Sequence, residues 1–93
     1  MEIKTRQEFD VFLRDAIYEM GQLVQKEPGD SFLESIKRQL EHVEQWTASG
    51  RRPNDQQKKK LSFGVMASKA VHDTDAKLAE MLYALANYID ERI

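Results

Sequence analysis

Leu61-Ser-Phe-Gly-Val-Met-Ala-Ser-Lys-Ala-Val-His-Asp-Thr-Asp-Ala-Lys-Leu-Ala-Glu-Met-Leu82 decides the fold. It reads as the later part of one helix, a stop at His72-Asp73-Thr74-Asp75, and the start of another. Gly64, Ala67, Ser68 and Ala70 are small residues that let a neighbouring backbone come close. Asp73, Thr74 and Asp75 can each accept from the free N–H groups of the helix that follows, which is why such residues begin helices. Nothing in the stretch is catalytic equipment.

Upstream, Thr5-Arg-Gln-Glu8 has the form of a capping box. Phe9, Phe12, Leu13, Ala16, Ile17, Met20, Leu23 and Val24 then recur at helical spacing as far as Glu27-Pro28-Gly29-Asp30, where proline ends the run. Ser31 with Glu34 offers a second box, followed by one stripe of Phe32, Leu33, Ile36, Leu40, Val43 and Thr47. Gly50 is placed as a C-terminal cap, and Arg51-Arg52-Pro53 reads as linker. Asn54 with Gln57 starts a third helix running to about His72. Asp75 starts a fourth, with Leu78, Met81, Leu82, Leu85 and Ile89 inward. No segment alternates with period two. The expected fold is all-α, a small antiparallel bundle or array of four helices over about 6–27, 31–49, 55–72 and 76–92, in a single domain of 1–93.

At ~100° per residue, the third helix puts Leu61, Val65 and Ser68 on one side and Phe63, Met66, Ala67 and Ala70 on the other. Apolar residues on both sides place it centrally or half-covered by a partner.

A chain of 93 residues hides about two-thirds of its unfolded surface, enough to fold without metal or disulfide. With no cysteine, thiol chemistry and cysteine-ligated zinc are excluded. The first ten residues lack a signal-peptide core and no run approaches a membrane span, so a cytoplasmic address and no membrane partner are expected. The net charge of −2 is uneven. Residues 1–50 hold ten acidic and six basic side chains, net −4; residues 51–60 hold five basic against Asp55, net +4; the rest is net −2. An acidic domain with no aromatics among Lys58, Lys59 and Lys60 is a poor nucleic-acid binder but suits a basic partner.

The chemistry of catalysis is missing from the pattern. There is no glycine-rich phosphate loop, nucleophile elbow or His-Glu-x-x-His pair. Gln39 stands where a di-metal bundle would need Glu before His42. A phosphorelay role for His42 is disfavoured by the Val-Glu-Gln-Trp that follows, and His72 reads as a helix end. The expectation is no enzyme, no cofactor and no metal. More telling are apolar residues in the wrong phase: Val11 and Tyr18 share a face opposite the core stripe, and Tyr83 faces away beside Glu80, Asn87 and Asp90. Tyrosine supplies rigid contact area with a polar tip, as binding surfaces require.

Three blocks, in order and spacing, carry a family resemblance. Pro28-Gly29-x-x-x-Leu33-x-x-x-Lys37-x-Gln39-Leu40, then Leu61-x-x-Gly64-x-x-Ala67-x-Lys69, then Asp73-Thr74-Asp75-x-x-Leu78, resembles small all-helical immunity proteins. These guard type VI secreting bacteria against their own NAD(P)+-hydrolysing effector toxin. The resemblance covers roughly residues 28–82. It departs at Ala76, where a helix-starting proline is expected, and in a longer, more basic linker at 48–57. It implies a stoichiometric inhibitor that binds the toxin's catalytic domain and covers the dinucleotide cleft. The residues expected to meet the partner are Val11, Asp15, Tyr18, Glu34, Glu41, Asp73, Asp75 and Tyr83. Two other readings stand beside it: a helical homodimer formed through the second face of the third helix, possible when toxin is absent, and a DNA-binding regulator using the basic cluster, which the acidic remainder disfavours.

Overall fold

A computed structural model describes all 93 residues. Five α-helices follow one another: α1 (Arg6–Lys26), α2 (Ser31–Thr47), α3 (Asp55–Lys59), α4 (Phe63–Ala70) and α5 (Ala76–Glu91). The four longer ones close a ring in which α1 packs on α2 and α5, and α4 packs on the same two. The fold is all-α, without strands, as the periodicity predicts.

Cross-helix contacts fix the directions. Arg6 near the start of α1 reaches Thr47 at the end of α2, and Gly21 lies against the Lys37 stem. Ser35 and Gln39 of α2 meet Met66 and Ser62 at the start of α4. Gly64 meets Ala86, and Phe9 stacks on Tyr88 with ring centroids 5.0 Å apart. Every neighbour in the ring therefore runs antiparallel, the arrangement short connections favour.

The dry interior gathers the inward stripes. Phe9, Leu13, Ala16 and Met20 of α1 meet Leu33, Ile36, Leu40 and Val43 of α2. Phe63, Ala67 and Val71 close the third side, and Leu78, Leu82, Leu85 and Ile89 the fourth. Five members escaped the sequence reading, Val71, Ala79 and Ala84 among them. Ile3, ahead of α1, is buried, and so is Tyr88. The Tyr88 ring forms a layered stack in which Arg6 lies over Phe9 and Arg92 over Tyr88. Phe32 departs the other way: assigned to the α2 stripe, it lies at the stripe's edge and is 54% exposed, while Leu33 beside it in the same turn is buried.

Helix starts follow the local chemistry with one change. Thr5 and Glu8 form the reciprocal capping box, as do Asn54 and Gln57. At α2 the cap is Asp30, whose carboxylate accepts from Phe32 and Leu33 N–H at 3.0 and 3.2 Å. The expected Ser31–Glu34 box does not form, because an anionic acceptor one residue earlier already serves the positive end of the helix. Asp75 caps α5 through Leu78 N–H at 3.0 Å, doing alone what Asp73 and Thr74 were also equipped to do.

The end of α2 also differs from expectation. The helix stops at Thr47 and passes through a tight turn, Ala48–Gly50, with Ser49 and Gly50 at positive φ. Two arginines supply the C-terminal cap. Arg6 donates to the Thr47 and Arg51 carbonyls, and Arg51 donates to those of Ala48 and Gln45 at 3.0 and 2.9 Å. Cations belong at the negative end of a helix, and here they also satisfy its orphan carbonyls.

The expected third helix arrives in two pieces. α3 ends after one and a half turns; Ser62 N–H then donates to Gln39 Oε1 at 2.7 Å, turning the chain before α4 begins. Lys58 and Lys59 thus lie in the last turn of α3, where their charge is favourable, instead of opposing the start of a long helix. The small-residue reading holds where it matters. A Cβ on Gly64 would stand 2.9 Å from the Ala86 Cβ, so α4 and α5 touch there because glycine leaves room.

Candidate functional site

α1 turns four of its side chains to the core, which leaves Val11 and Tyr18 on the opposite face, 48% and 66% exposed. Asp15 and Glu19 lie between that face and α5, and the carboxylates of both are open to solvent. The opposing bank is the first turn and a half of α5. Together they frame a groove of about 520 Å³. Met1, Phe12, Leu78 and Met81 form its apolar lining; Asp15, Tyr18, Glu19 and Asp75 stand along it, with Lys77 as its lysine. Neither Asp15 nor Glu19 has a salt-bridge partner. Asp75 spends one oxygen on the α5 cap. The groove combines apolar contact area with unpaired negative charge, a surface suited to a cationic protein partner.

Of the eight residues expected to meet a partner, three converge here: Asp15, Tyr18 and Asp75. Val11 extends the same exposed face of α1 two turns earlier. The others lie elsewhere. Glu34 is exposed in the first turn of α2, and Glu41 is held by Lys37 at 2.9 Å. Asp73 is fully exposed in the loop before α5, 3.5 Å from the His72 ring. Tyr83 is half-buried, a correction to its outward assignment. It borders a second depression between α4 and α5, which Gly64 also lines. Phe12, Glu19 and Met81 are groove residues that the wrong-phase criterion could not find, since Phe12 and Met81 also belong to the core stripe.

The histidines take structural places. His42 stacks on Trp46 with centroids 5.7 Å apart, and Trp46 packs on the core edge. The backbone N–H of His72 closes the end of α4 by donating to the Ala67 carbonyl at 2.9 Å. No buried side-chain polar atom is left without a partner, so the interior holds no poised but unsatisfied group.

The family model Tsi6 matches residues 8–91. The chain belongs to the Tsi6 family. Tsi6 proteins are type VI secretion immunity proteins for NAD(P)+-hydrolysing effectors. The match takes in nearly the whole of α1, well beyond the blocks at 28–82 that carry the resemblance in the sequence. Membership of an immunity family implies a toxin polypeptide as partner. No curated protein and no solved structure matches this Tsi6 chain. No helix is long and apolar enough to cross a membrane.

Proposed function

We propose that this protein is a cytoplasmic immunity protein that binds the catalytic domain of a cognate NAD(P)+ glycohydrolase toxin and blocks its active site stoichiometrically. The observation that carries the reading is membership of the Tsi6 family over residues 8–91. The groove between α1 and α5 is the toxin-facing surface. A cleft that admits a dinucleotide must hold a pyrophosphate and is electropositive, so Asp15, Glu19 and Asp75 match it in sign. Opposite potentials accelerate and orient the encounter, while Tyr18 and Val11 supply desolvated contact area that holds the complex. The carboxylates compete with the dinucleotide for the same positive groups, so inhibition needs no chemistry from the immunity protein. One escaped toxin molecule turns over repeatedly, so affinity must be nanomolar or tighter, about −12 kcal/mol or stronger.

The test is co-expression with the toxin encoded beside the gene, scoring survival and cellular NAD+ together. Wild type is expected to preserve both. Tyr18→Ala and Asp15→Lys are expected to weaken toxin binding and let NAD+ fall, with melting temperature nearly unchanged because both side chains are exposed. Loss of NAD+ in the presence of wild type would refute the reading.

A further inference from the structure

The depression between α4 and α5, about 420 Å³, lies on the opposite flank of α5 from the acidic groove. Its apolar lining includes Leu61, Tyr83 and Ala86, and beside it stands Val65, 68% exposed and the most exposed large hydrophobic residue of the chain. Lys58 and Asp90 line the same depression, one charge of each sign. Neither takes part in an ion pair within the chain. A protruding valine and a hollow on one patch, with a cation and an anion beside them, form a surface complementary to itself. That is what a two-fold contact requires: each copy offers the same patch, and residue i meets j while j meets i.

The geometry points to this α4–α5 patch as a homodimer contact, the occupant of each depression being a second copy of the chain. Val65 of each copy enters the hollow beside Tyr83 of the other, and Lys58 opposes the partner subunit's Asp90. Charge separates this surface from the toxin-facing one. The α1–α5 groove sets Asp15, Glu19 and Asp75 against Lys77, so two copies would repel across it, whereas the α4–α5 patch is balanced. Because the two surfaces lie on different flanks of α5, a dimer leaves the groove free, and each copy can still engage a toxin molecule.

Sedimentation or light scattering of the full chain, from low micromolar to millimolar, tests the inference. The mass is expected to rise from 10.8 kDa toward twice that value. Val65→Glu is expected to hold the protein at the monomer mass throughout with an unchanged melting curve, since the residue is exposed. Lys58→Asp is expected to weaken association about tenfold or more by placing like charges opposite each other, and adding Asp90→Lys to restore it. A wild type that stays monomeric at millimolar concentration would overturn the inference, and so would a dimer indifferent to Val65→Glu. If the wild type is monomeric and Val65→Glu abolishes toxin capture, the patch belongs to the toxin.

Discussion

A single methyl group at position 64 tests the closest contact in the ring. In Gly64→Ala, the new Cβ would lie 2.9 Å from the Ala86 Cβ. Carbon atoms rest at about 3.5–4.0 Å, so α4 and α5 must separate by about 0.6–1.1 Å or bend around the contact. Overpacking of this kind costs about 1–3 kcal/mol. Against it stands the helix preference for alanine over glycine, at most about 1 kcal/mol and less in the first turn, where Gly64 sits. The net expectation is a loss of about 0.5–2 kcal/mol. Ala86→Gly alone should cost about 1 kcal/mol through helix propensity. The double variant removes the clash and exchanges one glycine for another, so it should lie within about 1 kcal/mol of wild type, a coupling of about 1–2 kcal/mol toward rescue. Urea denaturation followed by circular dichroism, with the slope held constant across the four proteins, measures the cycle. If Gly64→Ala stabilises the protein, or the two changes simply add, the helices are not in contact at this point.

Two further substitutions test the ends and the middle of α2. Asp30→Ala should cost about 1 kcal/mol by removing the acceptor for two N–H groups, while Ser31→Ala should stay within about 0.5 kcal/mol of wild type; the reverse order in urea midpoints would return the cap to Ser31. Leu40, fully enclosed, tolerates no charge, so Leu40→Asp should abolish the cooperative thermal transition seen by circular dichroism.

The inward stripes of α1, α2 and α5 were legible because helical periodicity states directly which residues share a face. Leu33, Ile36, Leu40 and Val43 could be placed from spacing alone. What spacing does not carry is any interaction between residues far apart in sequence. The break before α4 depends on Gln39, a side chain of another helix that takes the Ser62 N–H and so ends one helix where local propensity would extend it. Arg6, 41 residues from Thr47, is invisible as a cap for α2. Phe32 misled because it lies at the edge of the α2 stripe, one residue before the buried Leu33, and spacing does not state how wide the covered face is. At the candidate site, Tyr18 and Asp15 stood out because an apolar residue in the wrong phase beside a carboxylate is unusual. Their convergence with Asp75 needed the antiparallel pairing of α1 with α5, which no local pattern specifies.

Helix ends are ordinarily the first places a folded protein opens, each fraying at little cost. The last turn of α2 is denied that freedom, because the guanidinium that closes it grows from the opening turn of α1 and also carries the Arg51 carbonyl and the Phe9 ring. Amide exchange at Thr47 and at the beginning of α1 should therefore share one opening event, and the two termini, remote in the chain, come apart together.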